Sequence, residues 1–298
     1  MFPTFPMRTP EFHSARLPGL SPVLERWTAR AAAVVDLSPQ VFAVPHPSVL
    51  HESGAETLQA HYATIIEGVA MAEWSLAHLS APVVVTGYSM GLYSALAFTG
   101  SLPFDEVLTL ITEVCDAAHR HTPAGEWAVG AVVGLAPDMV QDLAGTHGLE
   151  VTDRYGATTW LLTGRKAQVG QALDDALQRG APATRLLPLT APFHATALAG
   201  ISPALASAVA ARTWSDPRVP ILSTTTRQSL RRAADVREEV VRNASHAMDW
   251  HGTLQQLATF GVRVCVDCGA STSLAATVRE DWALQYHGHD FHSLEPNP

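Results

Sequence analysis

The stretch Gly87-Tyr88-Ser89-Met90-Gly91 constrains this chain more than any other. Before it lies the apolar run Val83-Val84-Val85, and from Tyr93 onward the sequence reads as a helix. A short continuous apolar run suits a strand covered on both faces. A glycine on each side of the serine lets the backbone take a turn that a Cβ would obstruct. Strand, sharp turn and helix are the setting in which G-x-S-x-G lifts a serine oxygen above a sheet. Backbone N–H groups at the start of the helix, with its dipole, can then stabilise an oxyanion. Small residues also pack together in turns without chemistry. The strand and helix on the correct sides favour the nucleophile.

The segment 55–79 carries Ile65, Val69, Ala72 and Leu76 at helical spacing, and Phe104–His119 reads as an amphipathic helix after Pro103. Then the character changes. WAVGAVVGL is strand-like, PDMVQDLAGTHG a helix closed by glycine, TTWLLTG a strand, KAQVGQALDDALQRG a helix and TRLLPL a strand. This β-α-β-α-β run reads as a small ferredoxin-like α+β insert over residues 124–189. The strand VPILST, a long helix over Val236–Leu257 and the strand VRVCVDCG follow it. The expected class is α/β: an α/β-hydrolase-like large subdomain with a parallel sheet, residues 1–123 and 190–298, plus the insert.

A net charge of −9 argues against nucleic acid, which needs a basic face. Arg227, Arg231, Arg232, Arg237 and Arg242 still cluster locally, as a docking patch or as a solvated helical face. No apolar stretch approaches the ~20 residues of a membrane span, and MFPTFPMRTPEF does not read as a signal peptide. Three cysteines make no disulfide framework, which fits a reducing cytoplasm. Cys265-Val-Asp-Cys268 lacks a second pair and reads as structural. The HGHDFH tail reads as a chain end. No metal site is expected.

A serine hydroxyl needs a base. Among fourteen histidines, His194 stands directly after a strand, in a loop flanked by Pro192 and Phe193 where the insert rejoins the large layer. Composition alone would not separate it from a surface or capping histidine.

Several of these segments resemble one family, the malonyl-CoA:acyl-carrier-protein transacylases and the acyltransferase domains of polyketide synthases. GYSMGLYSALAFTGSLPFDEVLTL is similar to that family's GHSLGEYSALVAAG segment, and WAVGAVVGL to its G-x-M-A-A-V-L-G-L strand. LPLTAPFHATAL resembles L-P-V-S-x-x-F-H-S-x-x-M, VPILSTTT resembles V-P-x-x-S-T-V-T, and VVRNASHAMDW resembles L-V-R-Q-L-x-x-P-V-x-W. The likeness runs from about Ala55 to Ala276.

The resemblance implies a ping-pong transfer in which Ser89 takes an acyl group from one thioester and His194 is the base and acid. A backbone carbonyl orients the histidine in this family, and the matching position is Asn243. The oxyanion hole would use the N–H of Met90 and, from the loop Phe5-Pro6-Met7-Arg8-Thr9, that of Arg8. No cofactor is implied, since substrates ride on the phosphopantetheine of acyl carrier proteins, and a cytoplasmic monomer is expected.

Departures from the family are more specific. Val114 falls where malonyl-specific members carry an arginine that pairs bidentately with the free carboxylate. A carboxylate buried against valine would lack a partner, at a cost of several kcal/mol. Tyr88 replaces the histidine of G-H-S. Asp153 and Tyr155 take two asparagine positions, and His61 the place of a glutamine. Tyr88, Val114, Tyr155, Phe193 and His61 are therefore the expected pocket residues. Together they suggest an acyltransferase moving a non-malonyl unit, aminoacyl or dipeptidyl, between carrier proteins in macrolactam polyketide (antibiotic) assembly. An acyl-carrier hydrolase, a malonyl transacylase of the malonate-decarboxylase kind and a non-catalytic carrier-binding scaffold stay open as alternatives.

Overall fold

The computed structural model describes residues 1–3, 17, 19–38, 41–42, 54–79, 81–122, 125–187, 189, 191–269, 274, 277 and 285–287, without the side chains of 54–57 and 285–287. In chain order the elements are α1 (Leu20–Ala32), α2 (Gly54–His78), β1 (Val85–Thr86), α3 (Gly91–Thr99), α4 (Phe104–His121), β2 (Trp127–Val133), α5 (Pro137–His147), β3 (Glu150–Arg154), β4 (Thr159–Arg165), α6 (Lys166–Gln178) and β5 (Ala183–Leu187). A tight helical turn over Thr196–Ile201 leads to α7 (Ser202–Ala210), β6 (Ile221–Leu222), β7 (Ser229–Leu230), α8 (Ala233–Asn243), α9 (Trp250–Thr259), β8 (Val264–Val266) and β9 (Gln285–His287).

The large layer is built on a sheet of short strands. β1 pairs in parallel with β6, β6 antiparallel with β7, and β8 in parallel with β9. Met1 and Phe2 fill the gap between these pieces. Phe2 bridges Gly87 in parallel, its N–H donating to the Thr86 carbonyl at 2.9 Å. On the other side Met1 N donates to Val266 O at 2.7 Å, and Cys268 N–H donates to Met1 O at 2.8 Å. The order across the layer is thus β9, β8, Met1–Phe2, β1, β6, β7, mostly parallel with an antiparallel hairpin at one edge.

The insert is one antiparallel sheet in the order β3-β4-β2-β5, with α5 and α6 connecting its strands. The chain runs βαββαβ, so the sequence pattern had missed β3. Leu143, Leu162, Val169 and Ala172 lie at the centre of its own apolar core. A second core joins α1 to α4, α7 and α8. A third gathers Tyr88, Leu222, Met248, Trp250 and Leu254 beneath the serine turn.

Three other expectations are corrected. The Val83–Val85 run is not all strand: Val83 is 74% exposed. Hydrogen bonds reach the run only at Val85, whose N–H donates to Pro220 O at 3.0 Å. α2 is no one-sided helix, because residues 60–72 are all buried while Leu76 is 45% exposed. It runs through the core. The long helix over Val236–Leu257 is two helices, broken after Asn243 and restarted where Asp249 caps α9 by accepting from Gly252 N–H at 2.8 Å.

Candidate active site

The serine turn requires its glycines. A Cβ on Gly87 would sit 2.2 Å from the Gly91 carbonyl carbon, and one on Gly91 would sit 1.9 Å from Phe2 O. Between them Ser89 adopts a left-handed backbone with φ 53°. Gly91 N–H donates to Tyr88 O at 2.9 Å and Leu92 N–H to Ser89 O at 3.1 Å, which tightens the turn into α3. Met90 is the N-cap of α3. Its N–H belongs to the first-turn donors that find no partner within a helix, which is what an oxyanion needs. Ser89 itself is half-buried and so reachable.

His194 meets it. Its Nε2 lies 2.7 Å from Ser89 Oγ, bridging 105 residues of sequence. His194 also has a left-handed backbone, φ 64°. Among the described residues only Ser89, His194 and Arg227 do so without being glycine. Such conformations cost on the order of 1–3 kcal/mol each and persist where surrounding structure enforces them. Here the enforcement is visible. His194 N–H donates to Ala244 O at 2.9 Å, in the break between α8 and α9. Two residues on, Thr196 is gripped by Glu150 of β3, through its N–H at 2.9 Å and its hydroxyl at 2.7 Å. Asn243 Nδ2 donates to Ser89 O at 3.4 Å.

Burial pushes the His194 imidazole down to about 4, against a smaller opposing pull from the backbone of Asn243 and His246. Those backbone groups lie near the ring, yet neither closes a well-formed hydrogen bond with the buried Nδ1. A neutral imidazole accepting at Nε2 is the form that takes a proton from a serine hydroxyl.

The expected pocket residues divide. Tyr88 is buried, its hydroxyl donating to Asp153 Oδ2 at 2.7 Å and its ring packing edge-on against Tyr155 at 5.4 Å and Trp250 at 5.3 Å. It braces the turn from behind. Val114 is 3% exposed in the main core and borders a recess of about 260 Å³ between α4 and α7, with Glu113 and Arg120 at its rim. Arg212 lies along α4 but is bound to Glu113 at 2.7 Å and Glu106 at 3.2 Å. Among the described residues no basic side chain other than His194 is hydrogen-bonded to Ser89. Phe193 packs on the main core, and His61 is buried on α2. Arg8, its loop, and all of HGHDFH except His287 lie outside the described residues.

Sequence reasoning missed the roles of Asp153 and Glu150. Both sit on β3, which it had not recognised as a strand. Cys115, Cys265 and Cys268 are free and buried, and burial pushes Cys115 to about 12 and Cys268 to about 11. That makes them poor nucleophiles. No group of three or more His, Cys, Asp or Glu side chains among the described residues could hold a metal ion. No helix among them is long and apolar enough to cross a membrane.

No protein-family model matches the chain. The malonyl CoA-acyl carrier protein transacylase of Bacillus subtilis strain 168 is 22% identical over 271 residues, 88% of this chain and 86% of its own. The polyketide biosynthesis protein ThaF of Burkholderia thailandensis is 24% identical over 203 residues, 67% of this chain and 17% of its own. The solved malonyl CoA-acyl carrier protein transacylase of Coxiella burnetii superposes with a TM-score of 0.85 at 22% identity, over 96% of this chain and 92% of that one. A malonyl-transacylase solved in complex with a type II PKS acyl-carrier protein does so at 0.85 and 21% identity, over 96% and 94%. The chain has the fold of these transacylases and resembles them in sequence along most of its length.

Proposed function

We propose that this chain is a serine acyltransferase of the malonyl-CoA:acyl-carrier-protein transacylase type that carries an acyl group other than malonyl. The contact of Ser89 Oγ with His194 Nε2 at 2.7 Å carries the reading, because it joins a strained turn serine to a neutral base. Ser89 Oγ attacks the thioester carbonyl while its proton passes to His194 Nε2, and Met90 N–H faces the oxyanion. Collapse expels the first thiol, which takes the proton back from His194. An acceptor thiol then gives its proton to His194 and attacks the Ser89 ester. Ser89 regains its proton as the acyl group leaves. The carriers in both halves are acyl carrier proteins of polyketide assembly, a reading supported by the likeness to ThaF and to the carrier-bound transacylase.

The acyl preference rests on Val114. By the family resemblance Val114 takes the position of the arginine that would pair a malonyl carboxylate; it is apolar and buried, and the neighbouring Arg212 is already committed to two glutamates. A neutral acyl or aminoacyl unit leaves no unpaired carboxylate there. Loading the protein with an acyl thioester, removing excess donor and adding holo carrier protein tests the transfer. Passage of the acyl mass from Ser89 to the carrier supports it, and release as free acid with none on the carrier makes the protein a hydrolase instead.

A further inference from the structure

We propose that Asp153 is a positioning residue that keeps Ser89 and His194 in register from the insert, and that it does so in its ionised form. This rests on the reading of Ser89 and His194 as a reactive pair. The geometry is specific. Asp153 is buried on β3, the edge strand of the insert, and its two oxygens take different donors. Oδ2 accepts from the hydroxyl of Tyr88, the residue before the nucleophile, at 2.7 Å. Oδ1 accepts from Trp250 N–H, at the start of α9, at 3.1 Å. Next to it Met248 N–H donates to Thr152 O at 2.9 Å, and Asp153 bridges Met248 in parallel. The segment held this way begins at Ala244, whose carbonyl fixes His194. β3 also grips Thr196 through Glu150. One edge strand therefore clasps both sides of the pair, with Asp153 at the point where the two meet.

Charge matters to this clasp. A carboxylate offers acceptor lone pairs on both oxygens; a carboxylic acid must place a proton on one of them. Protonated at Oδ2, Asp153 would donate toward Tyr88 and leave the phenol proton to find another acceptor in a buried site. Burial raises the Asp153 carboxyl to about 7, opposed by the hydrogen bonds from Tyr88 and Trp250 and aided by Asp249. The other titratable or charged groups on the elements packed around it are Glu150 and Arg154 of β3, Tyr155 after it, Arg165 of β4, His246 and His251 of the segment it holds, and Asp138, Asp142 and His147 of α5.

The test is phosphonylation of Ser89 by an alkyl fluorophosphonate, read as added mass on the Ser89 peptide between pH 5.5 and 9. The Ser89 O–P bond forms, the P–F bond breaks, fluoride leaves and the proton passes to His194. The natural protein should show a rate that rises through about pH 7, above the range in which His194 titrates. Asp153→Asn, neutral throughout, should lose that rise and react about tenfold or more slowly at pH 8, since small misplacements of reacting groups carry penalties of that order. Tyr88→Phe, which removes a donor but keeps the carboxyl, should move the rise to higher pH. A natural profile flat across this range, or an Asp153→Asn profile that keeps the inflection, overturns the proposal. If Asp153→Asn does not fold, the natural and Tyr88→Phe profiles decide. No labelling of Ser89 at any pH overturns the reading of the pair itself, and the proposal with it.

Discussion

Ser89 and His194 are held in backbone conformations that neither residue prefers, and the contact between them is what that strain maintains. Ser89→Ala should abolish acyl-enzyme formation without changing the circular dichroism spectrum, since Ser89 contributes no core packing. His194→Ala should slow acylation by at least about a hundredfold, the low end of a positioned base. A loss of a few-fold would point to another base. His194 also bears on stability. Its folded value, about 4, lies below the ordinary 6.5, so the folded state binds the proton less readily than the unfolded one. Its contribution is fully present above pH 6.5 and is lost as pH falls through about 4, on the order of 3 kcal/mol. His194→Gln should flatten that part of the acid unfolding curve measured by chemical denaturation.

At the scale of elements, β3 and the break between α8 and α9 hold Ser89 and His194 where they sit, and the sequence reading found neither. β3 reads Glu-Val-Thr-Asp-Arg, with charged residues where a strand pattern would place apolar ones. Those charges exist because this edge faces the large layer, with Glu150 and Asp153 reaching across to Thr196 and Tyr88. The break was hidden because apolar residues on either side, from Val236 to Leu257, keep helical spacing through it. The capping residue Asp249 was the available signal. The serine turn was legible for the opposite reason, since its two glycines answer a steric need that leaves few other choices. α2 carries a further consequence of depth. Glu67 lies buried there with Oε1 unpartnered, and burial pushes it from 4.5 up to about 8. An acid raised in the folded state stabilises most below its unfolded value and loses that contribution as pH rises through the folded one. Thermal unfolding should therefore show Glu67→Gln gaining on the natural protein as pH goes from 5 to 9. Equal differences at both ends would show that Glu67 is not held neutral.

For the whole molecule, the proposed function asks how a carrier-borne acyl group would be met and which group would be accepted. The arginine cluster is less basic than its count implies. Arg227 pairs with Asp249 at 3.0 Å, Arg232 with Asp235 at 2.7 Å and Arg242 with Glu238 at 2.6 Å. Docking of an acidic carrier on this face should weaken with salt, seen as a transfer rate that falls between low and high ionic strength; a salt-independent rate would place docking elsewhere. On the proposed function, acyl choice is set at Val114. Val114→Arg should shift preference toward malonyl only in part, because Glu113 and Asp116 border the same recess and compete for the new guanidinium. The most direct test of the central claim is the intact mass of the natural protein and of Ser89→Ala after exposure to malonyl-CoA and to a neutral aminoacyl thioester on a carrier protein. An aminoacyl adduct on the natural protein alone, with malonyl loading slower by about a hundredfold or more, is the predicted result. Fast malonyl loading of Ser89, or an adduct that survives in Ser89→Ala, would contradict it.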